Sequence, residues 1–170
     1  MTKYLLQQGH TKIAILAAEE LDASISHLRL QGYRRAMKEY GFEVDEDLIC
    51  PMKDGIEWYS MQNGYAMTKE LLERRDDVTA IFAISDVMAI GACRAIRDKG
   101  LRVPQDIAVA GYDGIEMGMY SVPSITTIKQ PVDEIAREST LLLLDIISGK
   151  KVHQHKVFDA ELLIRESTSV

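Results

Sequence analysis

The chain has 170 residues, of which 46% are hydrophobic, 27% charged and 6% aromatic, a make-up that fits one globular domain with its own core and excludes disorder and fibrous repeats. A net charge of −6, from 20 Lys and Arg against 26 Asp and Glu, argues against this stretch holding nucleic acid by its own field. The start MTKYLLQQGH has no apolar h-region, and no apolar run approaches the roughly 20 residues of a membrane span, so a cytoplasmic protein without membrane contact is expected.

Ile13 to Ala18, led in by Gly9-His10-Thr11-Lys12, reads as a first strand buried on both faces of a parallel sheet. From Ser24, the positions Ile25, Leu28, Gly32, Tyr33, Ala36, Met37 and Tyr40 recur at helical spacing, and Gly41 stops the helix. Leu48 to Met52 supplies a second strand, and Met61, Tyr65, Thr68, Leu71 and Leu72 a second helix that ends in a charged run. Ala80 to Ile84 is the clearest strand, with Ser85 or Asp86 placed to cap the helix that follows. That helix, Val87 to Lys99, is apolar nearly all round, which implies a second contact beyond the sheet, such as another subunit. Ile107 to Gly111 is a fourth strand, and the alternation to this point specifies a parallel sheet with right-handed crossovers. The rhythm then lapses into a loop punctuated by Gly114, Gly118 and Pro123, followed by an extended piece from Ile125 to Lys129. Pro131 opens a helix running from Val132 to Ser148 with a broad apolar stripe, and Phe158 to Ile164 reads as a last strand.

In an open parallel sheet, ligands bind beyond the carboxyl ends of the strands, where loops converge. That rule selects Glu19 to Ser24 and Arg29 after the first strand, Asp54 and Trp58-Tyr59 after the second, Ser85-Asp86 after the third and Tyr112-Asp113 after the fourth. A guanidinium fork at Arg29, a bidentate acceptor at Asp113 and an aromatic face at Tyr59 suit a polyhydroxylated ligand such as a sugar. The alternatives are a solvated Arg29, a packing role for Tyr59, and a cap at Asp86. No nucleophile elbow, phosphate loop or dinucleotide fingerprint is present, and no nucleophile has a base beside it, so no catalytic residue is assigned. His153 and His155 share a face of an extended segment, but without further ligands they make no metal site, and His10 and His27 stand alone. Cys50 and Cys93 form no paired-thiol motif and read as small buried side chains. Glu19-Glu20, Asp86 and Lys129 imitate a phospho-receiver pocket, against which stand the glutamates and the capping position of Asp86.

The segments Gly9-His-Thr-Lys-Ile-Ala14, Arg29-x-x-Gly32-Tyr33, Ala80-Ile-Phe-Ala-Ile-Ser-Asp86-Val-Met-Ala-Ile-Gly91 and Arg102-Val-Pro-Gln-Asp-Ile-Ala-Val-Ala-Gly-Tyr-Asp113 together resemble the effector-binding core of LacI/GalR transcription regulators. The likeness runs on through Pro123 to Pro131 and Arg165 to Thr168. It implies a parallel three-layer α/β/α sandwich, half of a periplasmic-binding-protein-like type I core. Residues 1–124 would be the C-terminal effector subdomain, 125–150 a crossover segment and helix belonging with a missing N-terminal subdomain, and 151–170 a return strand and tail. The helix's stripe would then be orphaned, leaving it swapped, dimerised or displaced. Arg29 resembles the family's effector-binding arginine and Asp113 its ligand-binding aspartate. Tyr59 falls where members place an aromatic over the ligand, and Ser85 where they commonly carry Asn. Gly114 stands where members have Asp or Asn. Ile90 and Tyr120 resemble subunit-interface positions and imply a homodimer. The function so implied is sugar-like effector binding coupled to operator DNA through a headpiece absent from this chain, with no cofactor and no metal. A solute-binding protein of a transport system is the alternative, and an enzyme on phosphorylated sugars a weaker one.

Overall fold

The computed structural model describes residues 1–17, 25–151 and 155–169. Four short strands form its centre: β1 (Ile13–Ala17), β2 (Ile49–Pro51), β3 (Ala80–Ala83) and β4 (Ala108–Ala110). They are parallel, in the order β2-β1-β3-β4, with Ile15 opposite both Ile49 and Phe82, and Ala80 opposite Ala108. Every residue of β1, β3 and β4 is buried, which is why these strands read as unbroken apolar runs rather than alternations. The second strand is shorter than its pattern suggested, since Leu48 closes a 3-10 turn, Glu46–Leu48, before pairing starts.

Helix α1 (Thr2–Gln7), which the sequence reading did not anticipate, packs beside α2 (Ile25–Glu39). Tyr33 of α2 donates a 2.9 Å hydrogen bond to the Ile13 carbonyl, anchoring α2 on β1. The opposite face carries α3 (Met61–Arg74) and α4 (Asp86–Asp98), the side that right-handed crossovers toward β3 and β4 require. Two glycines set how closely α3 and α4 approach. A Cβ at Gly64 would lie 2.2 Å from the Met88 carbonyl oxygen, and one at Gly91 2.0 Å from that of Met61. The surplus apolar surface of α4 is thereby covered within the chain, by α3 and by α5 (Glu116–Tyr120). The second contact implied by its all-round apolar pattern is thus supplied by α3 and α5, while Val87, Ile90 and Cys93 stay part-buried at its edge. The five-residue α5 is a correction, lying inside the stretch read as loop.

Beyond β4 the sheet is extended by single parallel pairs, Ala110 with Thr126 and Asp113 with Lys129. There β5 (Thr127–Lys129) pairs antiparallel with β6 (Glu161–Leu163), so the last strand joins a two-stranded ribbon rather than the main sheet. The tail locks on beside it: Val109 N–H donates to the Ser167 carbonyl at 2.9 Å. A buried hydroxyl relay runs from Tyr4 to Thr168 at 2.9 Å and on to Thr126 at 2.7 Å. Between β5 and β6, α6 (Val132–Ile147) follows Pro131 and has no buried residue; Leu143, Leu144 and Ile147 all face solvent.

Candidate functional site

Chain order β2-β1-β3-β4 reverses direction between β1 and β3, and such a switch point opens a crevice beyond the strand ends. Arg29, on the second turn of α2, reaches into it. Its guanidinium donates to the carbonyl of Ile84 at the end of β3, lies 3.4 Å from Asp113 Oδ1 beyond β4, and stacks on Tyr112 with 3.9 Å to the ring centre. The side chains of Arg29 and Asp113 are 13% and 28% exposed, so the solvated-helix alternative for Arg29 does not hold. The two groups picked out by sheet geometry therefore meet.

Asp113 sits at φ 121°, in the left-handed half of backbone space, a conformation that costs a non-glycine residue about 1–3 kcal/mol and survives only where the surroundings hold it. Much holds it here. Its N–H donates to the Ile128 carbonyl at 2.9 Å, and its own carbonyl accepts from Gln130 N–H at 3.2 Å. Gln130 Nε2 donates to Asp113 Oδ1 at 2.8 Å. Burial pushes the Asp113 carboxyl above its usual range; Arg29 opposes that shift and the nearby Asp86 adds to it. Gly114 follows at φ 77°, where a Cβ would lie 2.6 Å from Lys129 Cα. In this chain glycine at 114 is thus a steric requirement of the β5 crossing.

Two clefts flank the pair, and Gln130 lines both. One, of about 540 Å³, lies between α1 and α2 and is bounded by Arg29, Phe82, Tyr112 and Gln130. The other, of about 500 Å³, runs from Asp113 toward Lys129, Glu134 and Glu161. Each has the size of a small-molecule site. Neither Gln130 nor Phe82 was singled out from sequence.

Ser85 is buried, and its hydroxyl accepts from Met88 N–H at 3.3 Å, making it the cap of α4. It borders the crevice through its neighbour Ile84, whose carbonyl Arg29 holds. Asp86 is not the cap; it turns its carboxylate to the amides of Gly114 and Ile115 at 2.8 and 2.9 Å. Tyr59 lies in the turn before α3, 43% exposed, and among the described residues no hydrogen bond or ring contact ties it to Arg29 or Asp113. Asp54 and Trp58 are exposed in the same turn. Ile90 lines a groove of about 650 Å³ between α4 and the segment that follows α5, with Cys93, Arg94, Val103 and Val122, and Tyr120, one residue before that segment, is 71% exposed. Glu19 to Ser24 and His153 lie outside the described residues. His10 is part-buried, His27 pairs with Gln31 and His155 is exposed. Among the described residues no cluster of His, Cys, Asp or Glu is arranged to hold a metal ion, and no helix is long and apolar enough to cross a membrane.

Comparison with known proteins decides what this architecture is. The family model of the periplasmic binding protein-like domain matches residues 2–168. The HTH-type transcriptional repressor CytR of Escherichia coli K12 is 39% identical over 166 residues, which is 97% of this chain and 47% of that protein. The chain belongs to the LacI/GalR family. Among solved structures, the transcriptional regulator CelR–cellobiose complex shares 37% identity at a TM-score of 0.88, over 98% of this chain and 49% of the other. A LacI family regulator from Enterococcus faecium with bound ribose shares 33% at a TM-score of 0.84, over 99% of this chain and 60% of the other. The chain spans about half the length of the curated relatives it matches. LacI/GalR membership bears out the three-layer α/β/α, periplasmic-binding-protein-like fold, and the matched relatives are regulators rather than transport proteins.

Proposed function

We propose that this chain is the effector-binding portion of a DNA-binding LacI-type regulator, taking a sugar or sugar derivative at the crevice held by Arg29 and Asp113. The observation that carries the reading is the convergence of that guanidinium and carboxylate, largely shielded from solvent, at the switch point of the sheet. Asp113 accepts both its bonds at Oδ1, so Oδ2 faces no donor among the described residues and is open to sugar hydroxyls, while the Arg29 fork supplies complementary donors. Tyr59 and Ser85 complete the rim, Tyr59 by moving its exposed ring over the ligand and Ser85 by fixing the Ile84 carbonyl. The bare apolar face of α6 supports closure of the crevice by the rest of a longer chain, with residues 125–150 as the crossover. Ligand affinity for open and closed arrangements would then set operator binding. DNA is reached through a headpiece outside this acidic stretch, in a cytoplasmic homodimer joined along Ile90 and Tyr120.

The test is calorimetry on the full-length regulator with cellobiose and ribose, repeated with Arg29→Ala and Asp113→Ala. Losing charge-assisted hydrogen bonds of about 1.5–3 kcal/mol should weaken the sugar that binds by at least about tenfold in each variant. Unchanged affinity in both rejects the site.

A further inference from the structure

Asp86 is the most buried acid of the described chain, with no exposed surface, yet it belongs to neither ion pair nor cap. Its N–H and its carboxylate both hydrogen-bond the backbone around Asp113. Its N–H donates to the Tyr112 carbonyl at 2.7 Å, and its Oδ2 accepts from Gly114 and Ile115 N–H at 2.8 and 2.9 Å. One residue thus grips the chain immediately before and immediately after the strained Asp113. Among the described residues its Oδ1 has no hydrogen-bond partner, and it fills the space where Gly111 lacks a side chain; a Cβ there would lie 2.2 Å away. A side chain at residue 111 would therefore displace the carboxylate from this position.

We infer that Asp86 is a positioning residue, clamping the backbone on both sides of Asp113 so that this carboxylate is presented to the effector, and tying that presentation to α4. The role at the effector rests on the function proposed above; the clamp itself does not, and it is read without ligand. Titratable groups around Asp113 are Arg29 of α2, Asp86 of α4 and Lys129 of β5, with Asp133 and Glu134 of α6, Asp159 and Glu161 along the adjoining cleft. Of these, Asp86 adds to the upward push that burial gives the Asp113 carboxyl, and Arg29 opposes it.

Three variants of the 170-residue chain separate the clamp from a general packing role. Asp86→Ala removes the acceptor, and amide hydrogen exchange at Gly114 and Ile115 should quicken by about tenfold or more, while the amides of β1 and β3 keep their protection. Asp86→Asn keeps an acceptor oxygen and loses the charge. It should preserve that protection but lower the Asp113 titration midpoint, followed by carboxyl carbon NMR. Gly111→Ala leaves Asp86 in place but displaces its carboxylate, and should reproduce the exchange pattern of Asp86→Ala. Wild-type exchange at Gly114 and Ile115 in both Asp86→Ala and Gly111→Ala, or an unmoved Asp113 midpoint in Asp86→Asn, overturns the inference. In the full-length regulator, cellobiose or ribose should bind about tenfold more weakly to Asp86→Ala and near wild-type to Asp86→Asn at pH 7. A wild-type protein that takes neither sugar counts against the effector reading alone, since exchange and titration judge Asp86 without it.

Discussion

Gly91→Ala is expected to destabilise the chain although alanine is the better helix former. The added Cβ would sit 2.0 Å from the Met61 carbonyl oxygen and 2.9 Å from Tyr65 N, both backbone atoms of α3. No rotamer change relieves that overlap, so α4 must move by about 1 Å, and a gap of that size forfeits roughly a quarter to a half of the dispersion energy along the contact. Overpacking at a backbone-to-backbone crossing costs about 3 kcal/mol. Better helix propensity returns about 1 kcal/mol, leaving about 2 kcal/mol of net loss. With a urea m-value of about 2.5 kcal/mol/M, the unfolding midpoint should fall by about 0.8 M. Gly32→Ala is the control, since its Cβ meets nothing within 4 Å on α2; propensity alone should raise its midpoint by about 0.4 M. Urea titrations followed by far-UV circular dichroism, with unchanged m-values, make the comparison. Shifts of the same sign in both variants would refute the reasoning that the α3–α4 crossing has no room for a methyl group.

Asp113→Asn should gain stability over wild type as pH rises. Burial holds the Asp113 carboxyl above the usual carboxylate range in the folded chain, so on raising the pH the unfolded chain ionises first, near pH 3.9. Wild-type stability therefore declines between that value and the raised folded one, and the deficit persists above it. Asparagine can keep both bonds at Oδ1 and has no such step, so a variant-minus-wild-type difference that is the same at pH 3 and pH 7 in urea unfolding would contradict the assignment. The thiols give a separate check on packing. Burial pushes the Cys93 thiol up to about 12, and raises that of Cys50 with Arg74 pulling back. Ellman's reagent at pH 8 should leave both untouched in the folded chain and titrate two thiols in denaturant; rapid reaction of folded Cys93 would show an open edge on α4.

What the sequence reveals here, and what it hides, follows the range of the forces involved. The runs Ile13–Ala17 and Ala80–Ala83 are legible because burial on both faces writes itself as an unbroken apolar string. Arg29 and Asp113 are legible because parallel strands deliver their trailing loops to one edge, whatever lies between them. Helix α1 is not, for its Tyr4, Leu5 and Leu6 are too few to show a period, and Tyr4 is tied down by Thr168 at the other end of the chain. Gln130, just before Pro131, reads as a turn residue; only the Asp113–Lys129 pairing brings its amide to the site. At Ser85-Asp86 two candidate caps stand side by side, and a local rule cannot tell which is taken by a loop 28 residues further on.

That last ambiguity is where packing and site join. Gly64 and Gly91 fix α4 against α3 to within the width of a methyl group. The first residue of α4 is Asp86, whose carboxylate holds Gly114 and Ile115. The carbonyl of Ile84, two residues before that helix starts, is held by Arg29. Asp113 is therefore referred to α4 through Asp86 whereas Arg29 rides on α2, so a displacement of α4 along its contact with α3 is also a displacement of Asp113 relative to Arg29. In a fold whose crevice lies at strand ends, the geometry of a pair drawn from α2 and the loop after β4 depends on a third element, α4.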